Sequence, residues 1–160
     1  MSFMSKAKIV RLALMGAVLA GTGGLYAMTR EHLALDKEGS AFVKDAVIAI
    51  GTRWDAAELL RRSTPQFRAA TKEAELRAEF DTANAKLGPL LEYRQIAGNA
   101  DFFVLPGGRP VAGDYIVRAA FAKGEAEIEI HALRKDATWR IDSFSFGGSP
   151  EMRILLGMPG

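Results

Sequence analysis

Apolar positions recur at helical spacing through the stretch SAFVKDAVIAIGTRWDAAELLRR, which begins at Ser40. The resulting apolar face consists of Phe42, Val43, Ala46, Val47, Ile50 and Trp54. We predict a helix that Ser40 caps. Gly51 is a candidate break, after which a second helix is expected from about Asp55 to Arg62 with Thr52 or Asp55 as its cap.

A further helix is predicted beyond the proline at position 65. Pro65 interrupts continued helix in the stretch STPQ and therefore predicts a stop. The next helix is expected from about Thr71 to Leu87, and its buried stripe consists of Leu76, Phe80, Ala83 and Leu87. Gly88 supplies the C-terminal stop.

From Leu90 onwards the apolar positions alternate with a period of two, which predicts strands. The first strand is expected from Leu90 to Gly98, and a Gly-rich turn at residues 106–110 follows a short apolar run. With Lys123-Gly124 as a two-residue hairpin loop, Arg118 falls opposite Glu129. The same register pairs Phe121 with Ala126, Ala119 with Ile128, Val117 with Ile130, and Ile116 with His131.

The last strand carries a change of parity. A turn at residues 135–137 leads to Trp139 and Ile141, which continue the apolar face, whereas Phe144 and Phe146 fall on the opposite parity. A bulge near Asp142 or Ser143, or a strand end covered on both faces, would reconcile the two pairs. Helices followed by about four strands predict an α+β fold in which helices pack on an antiparallel sheet.

The first 29 residues are interpreted as a short cytoplasmic stub and a transmembrane anchor. The 17 residues from Leu12 to Met28 carry no charge, which is long enough for a span. Basic residues precede this run, so the N-terminus is expected in the cytoplasm and the following domain in the periplasm of a bacterial inner membrane. The anchor residues are Leu12, Leu14, Gly16, Ala20 and Leu25, of which Gly16 and Ala20 form a small-residue face. A cleaved signal peptide is the alternative, although Leu25-Tyr26-Ala27 begins with a large residue where cleavage sites have a small one.

Charge and composition exclude several classes of function. The chain has 21 basic and 19 acidic residues, and three of the basic ones precede Met28, which leaves 18 basic residues against 19 acidic ones in the rest. A domain with this balance has no electrostatic reason to bind nucleic acid. The chain has no cysteine, so disulfides, thiolate metal sites and cysteine nucleophiles are excluded. A hydrophobic content of 49% indicates a packed core.

The strand half of the chain resembles a known superfamily. The motifs are Gly124-x-Ala126-x-Ile128-x-Ile130 and Trp139-x-Ile141-x-x-Phe144. They resemble the nuclear-transport-factor-2-like (cystatin-like cone) superfamily, and in particular its small membrane-anchored bacterial exported domains of unknown function. The resemblance covers about Ser40 to Phe146, and it implies that the sheet of this α+β domain is curved. The domain is expected over residues 30–146, and a flexible apolar tail is expected over residues 147–160. This fold carries enzymes, ligand binders and assembly domains, so the resemblance implies no single activity.

Several residues are candidates for a site inside such a cone. A ligand pocket would be lined by Phe102, Tyr115, Phe121 and Trp139. Enzymes of the superfamily that the chain resembles, such as the ketosteroid isomerases, use Asp and Tyr inside the cone. The corresponding candidates for catalytic residues in this chain are Tyr93, Asp101, Asp114 and Tyr115. No spacing motif links these four. His131 shares a strand face with Glu129 and Glu127, an arrangement more typical of a solvated polar face than of a metal site.

The C-terminal tail and the N-terminal span lead to the functional prediction. The tail residues Ile154, Leu155, Leu156 and Met158 follow two glycines and either pack on the domain or bind a partner. We predict a non-catalytic accessory or assembly subunit of an inner-membrane complex of the respiratory or secretion type, with no cofactor. Its partners would be the lipid bilayer and the other subunits. A periplasmic ligand-binding or enzymatic cone is the alternative, and a homodimer through the sheet is a third hypothesis.

Overall fold

The structure, a computed structural model, describes residues 30–102 and 111–147, of which Phe102 and Gly147 are described by their backbone alone. The fold is α+β, with helices packed on one face of an open four-stranded antiparallel sheet, as the sequence pattern predicts. The helices are α1 (residues 30–51), α2 (Ala56–Arg62), α3 (Pro65–Ala70) and α4 (Glu73–Leu87). The strands are β1 (Leu90–Phe102), β2 (Val111–Phe121), β3 (Gly124–Lys135) and β4 (Thr138–Gly147), and they neighbour one another in chain order.

Helix α1 extends further towards the N-terminus than the pattern predicts, and Ser40 is an interior residue of it rather than its cap. Two long-range contacts stabilise the added turns. The Asp36 carboxylate accepts a hydrogen bond from the backbone N–H of Ala100 at 2.7 Å. The Glu38 carboxylate pairs with Arg134 at 3.1 Å. Because both partners lie in the sheet, a local pattern does not predict this extension.

Trp54, in the turn that follows α1, has a left-handed conformation with φ of 53°. The backbone N–H of Asp55 donates to Ile50 O at 3.1 Å, which is the closing bond that follows a left-handed residue at a helix end. The indole Nε1 donates to Gly88 O at 2.8 Å in a buried position. Asp55 then caps α2 by accepting a bond from the N–H of Glu58 at 3.0 Å, so the prediction of Asp55 as a cap is confirmed.

The predicted stop at Pro65 is confirmed, because α2 ends at Arg62, but Pro65 also begins α3, a helix that the sequence pattern does not predict. Thr64 caps this helix by accepting a bond from the N–H of Phe67 at 3.1 Å, and Pro65 occupies the first turn, where its missing N–H costs nothing. The break before it has a tertiary cause: the N–H of Thr64 donates to Ile141 O in β4 at 2.8 Å. Helix α4 matches its prediction closely, since all four residues of its stripe are buried and it ends before Gly88 at φ 72°.

The hairpin between β2 and β3 has its turn one residue earlier than predicted. Phe121 pairs with Gly124, so the turn residues are Ala122 and Lys123, and Arg118 pairs with Glu127 rather than Glu129. The N–H groups of Ala122 and Lys123 donate to Pro89 O at 3.0 Å and Leu87 O at 2.8 Å, and these bonds to the end of α4 fix the turn. The register error is two residues, so the same side chains still face the helices.

The hairpin between β3 and β4 confirms the predicted bulge. The register shifts between His131 and Ala132, which pair with Ser143 and Ile141, so Asp142 is the additional residue. Beyond the bulge Phe144 and Phe146 join the aromatic core, with ring centroids 6.1 Å from Phe80 and 5.2 Å from Trp54, respectively. The bulge also turns Ser143 and Ser145 to the opposite face.

Some predictions concern residues outside the described ranges. The anchor residues Leu12, Leu14, Gly16, Ala20 and Leu25 lie there, as do the turn at 106–110 and the tail residues Ile154, Leu155, Leu156 and Met158. Among the described residues, no helix combines the length and the hydropathy that crossing a bilayer requires.

Candidate functional site

The two faces of the sheet differ sharply. The inner face, which the helices cover, carries side chains with almost no exposure, for example Tyr115 at 1% and Ile130 at 2%. The outer face is formed centrally by Asp114, Ile116 and Arg118 on β2 and by Glu127, Glu129 and His131 on β3. Ile116 lies in the centre of this face and is 45% exposed. The outer face is therefore open to contact with another molecule.

A depression of about 360 Å³ lies in the outer face. The side chains that line it include Asp114, Ile116, Glu129, His131, Ser143 and Ser145. Its depth depends on two small residues of β1, because Ala97 pairs with Ile116 and Gly98 pairs with Tyr115. Gly98 has φ of 140°, and an added Cβ would approach the carbonyl of Asp114 well inside 3.0 Å, so only glycine fits this position.

The acidic residues of the outer face differ in their partners. The Asp114 carboxylate lies 2.7 Å from Nδ1 of His131. Further along β2, Arg118 donates to the Glu127 carboxylate at 2.6 Å. Between these two pairs, Glu129 lies directly opposite Ile116 and has no ion-pair or hydrogen-bond partner among the described residues. The two-residue correction of the register is the reason, since it moves Arg118 from Glu129 to Glu127.

Asp114, His131 and Ser143 lie in one row across three strands and have the residue types of a nucleophilic triad. The arrangement lacks the features on which a triad depends. The Asp114 side chain is 88% exposed, so water screens the carboxylate that should orient the histidine. Ser143 makes no hydrogen bond to His131. The row therefore lacks the geometry of a nucleophilic triad.

Three of the predicted pocket residues lie on the inner face. The side chain of the fourth, Phe102, is not among those that the structure describes. Tyr115, Phe121 and Trp139 have exposed fractions of 1%, 4% and 8%. Gly39 of α1 is packed against two of them, because an added Cβ there would meet the Tyr115 hydroxyl well inside 3.0 Å and Cζ2 of Trp139 at 3.1 Å. These residues form part of the contact between α1 and the sheet.

Three buried polar atoms at this end of the inner face have no hydrogen-bond partner within the described residues: the Tyr115 hydroxyl, Nε1 of Trp139 and Nε of Arg134. Arg134 and Trp139 are direct cross-strand neighbours. Burial raises the pKa of Tyr115 to about 12, and the carboxylates of Asp36 and Asp114 add to this rise. The phenol therefore stays neutral at physiological pH.

The structure does not gather the other predicted polar residues into one site. Tyr93 faces inward opposite Ala119, with the ammonium of Lys44 5.2 Å from its ring centroid, and burial raises its pKa. Asp101 is exposed and accepts a bond from Asn99 at 2.8 Å. Asp114 and Tyr115 are consecutive residues and face opposite sides of the sheet. In residues 30–102 and 111–147, no three His, Asp or Glu side chains are close enough together to hold a metal ion.

Sequence reasoning missed Ile116, Ser143 and Ser145 as members of the depression. Ile116 carries a readable signal, because it is an apolar residue at an outward position in the run Tyr115-Ile116-Val117. The two serines follow from the bulge, which turns them to the outer face.

In comparisons with known proteins, no family model matches the chain and no curated protein matches it. The functional assignment of the outer face therefore rests on its geometry.

Proposed function

We propose that this chain is a non-catalytic accessory or assembly subunit of a bacterial inner-membrane complex of the respiratory or secretion type. In this proposal residues 12–28 anchor the chain, and the α+β domain, a member of the nuclear-transport-factor-2-like superfamily, lies in the periplasm. The observation that carries the proposal is the open outer face, with Ile116 exposed in a depression of about 360 Å³. The inner face, by contrast, is occupied by core side chains.

An anchored domain does not need a strong contact. Confinement to the membrane raises the effective concentration of the domain near other membrane proteins, so a small interface suffices. The outer face fits such an interface because it combines the exposed apolar side chain of Ile116 with charged and hydroxyl-bearing neighbours. The uncharged run of 17 residues with basic residues before it supports the anchor and its orientation.

Co-purification of the full chain in mild detergent tests this function. We expect the tagged chain to be recovered with another membrane protein, and Ile116→Asp to lose that protein. Ile48→Asp is the matched control, since Ile48 lies on α1 and is 39% exposed compared with 45% for Ile116. If the unsubstituted chain always runs as a lone monomer, the proposed function is wrong.

A second candidate is a periplasmic ligand-binding or enzymatic domain, and the unpartnered donors near Tyr115 favour it. Buried donors of this kind normally have a partner. Native mass spectrometry of the purified full chain tests this candidate. A bound small molecule that is present in the unsubstituted protein and lost in Tyr115→Phe supports it, and an unliganded mass for both proteins counts against it.

A further inference from the structure

We infer that the outer-face depression receives a lysine or arginine side chain of a partner protein, with the aliphatic stem on Ile116 and the charge at Glu129. This inference rests on the proposed function, because it specifies the chemistry of the partner that docks on the outer face. It is carried by three properties of the depression: its charge, its apolar centre and its shape.

The negative charge of the depression favours a cationic ligand. Glu129 is the exposed carboxylate at its centre that has no partner among the described residues, whereas Arg118 already binds Glu127 at 2.6 Å. Asp114, bonded to His131 at 2.7 Å, adds a second carboxylate at the rim. An apolar side chain placed here would remove water from Glu129 without replacing its hydrogen bonds, which is unfavourable.

The apolar centre requires that the cation has an aliphatic part. Ile116 is the direct cross-strand partner of Glu129. In an antiparallel pair such neighbours have Cβ atoms about 5 Å apart, so one side chain can touch both. Lysine and arginine carry a hydrocarbon stem that packs on apolar surface and a charged end that stays near polar groups. A metal ion would use only the carboxylates and would leave Ile116 exposed.

The shape and the hydroxyl groups fit the same occupant. Ala97 and Gly98 leave room beside Ile116, and the depression is open to solvent on one side, as insertion from a partner surface requires. Ser145 pairs with Glu129, and Ser143 pairs with His131. Their hydroxyl oxygens can accept hydrogen bonds from an ammonium or a guanidinium group.

A second copy of this chain fits less well. In a twofold face-to-face dimer centred on the depression, each surface would meet its own equivalent. The two Glu129 carboxylates would then approach each other at the centre of the interface. Like charges that face each other across an interface are unfavourable, so the charge pattern favours a different, basic partner.

Photo-cross-linking in native membranes tests the inference. A photoreactive residue replaces Gln95 in the full chain, since Gln95 is exposed on β1, pairs with Arg118 and does not line the depression. We expect an adduct with a partner protein whose linked peptide contains Lys or Arg. Glu129→Gln should reduce the adduct about five- to tenfold, and Glu129→Lys should abolish it. Glu79→Gln is the matched control and should leave the yield unchanged, since Glu79 is exposed on α4, away from the sheet.

The outcomes separate the inference from the function on which it rests. If the same partner is linked with undiminished yield in Glu129→Gln and Glu129→Lys, the outer face docks a partner but not through this charge, and the inference is overturned. An adduct between two copies of this chain overturns it as well. If no adduct forms and the chain purifies as a monomer, the proposed function fails together with the inference. The melting temperatures of the variants are measured as well, to check whether the substitutions leave the fold intact.

Discussion

The contact between α1 and the sheet can be tested by substituting Gly39. An alanine Cβ at this position would meet the Tyr115 hydroxyl oxygen well inside 3.0 Å, and Cζ of Tyr115 and Cζ2 of Trp139 at 3.0 and 3.1 Å. The first of these contacts is too short for any real Cβ atom. The other two require a shift of only a few tenths of an ångström. The hydroxyl group therefore accounts for most of the expected clash.

The magnitude follows from two opposing effects. Overpacking of a well-packed site costs about 3 kcal/mol at the upper end of its usual range. Replacement of glycine by alanine inside a helix stabilises by about 1 kcal/mol. We therefore expect Gly39→Ala to lower the free energy of unfolding by about 2 kcal/mol. In a Tyr115→Phe background the hydroxyl is gone and the same substitution should be close to neutral, which gives a coupling of about 2 kcal/mol in the double-mutant cycle.

The assay is guanidinium unfolding of the full chain in mild detergent at neutral pH. Tryptophan emission reports the unfolding, because Trp139 lies beside Gly39 and both tryptophans are in the core. All four members of the cycle are measured. If Gly39→Ala destabilises the Tyr115→Phe variant as strongly as it destabilises the unsubstituted chain, the packing of α1 on the Tyr115 hydroxyl is wrong.

Three further predictions concern single groups. Tyr115 should titrate with a pKa of about 12, as measured by absorbance at 295 nm. Because the unfolded chain loses this proton first, the free energy of unfolding should fall by about 1.4 kcal/mol per pH unit from pH 10 to 12. Tyr115→Phe should remove both effects. Gly98→Ala should lower the free energy of unfolding by more than about 2 kcal/mol, because the added Cβ meets backbone atoms of β2. Gly124→Ala should lower it much less, because its Cβ meets no atom, and equal losses would contradict the strand pairing. Asp55→Ala should cost about 1 kcal/mol in thermal unfolding, and no loss would contradict the cap.

The elements that the sequence predicts best are those with a local cause. The stripe of α4 and the bulge at Asp142 both follow from a period in the apolar positions, and the structure has both. The extension of α1 and the helix that begins at Pro65 could not be predicted in this way. The extension of α1 has contacts with β1 and β3, and the break before α3 has a contact with β4, all of which lie far away in sequence. Helix α3 itself begins with a local cap and a proline, which a period in the apolar positions does not contain.

The candidate site shows how a small register error hides a feature. Alternation fixes which side chains face outward, and a shift of two residues leaves that set unchanged. The predicted register nevertheless places Arg118 opposite Glu129, which would give that carboxylate a partner. In the observed register Arg118 lies opposite Glu127 and donates a hydrogen bond to it, whereas Glu129 lies opposite Ile116. The unpaired carboxylate therefore depends on the turn bonds between Lys123 and Leu87, which no strand pattern contains.

Thiol labelling tests most directly whether the outer face is covered by a partner in the membrane. The chain has no cysteine, so Ile116→Cys and Ile48→Cys each report one position. The reagent is a maleimide, and the membranes are opened so that it reaches both sides. We expect Ile116→Cys to react several-fold more slowly in native membranes than in the purified chain, while Ile48→Cys reacts equally in both. Equal labelling of Ile116→Cys in the two preparations would contradict a docked outer face.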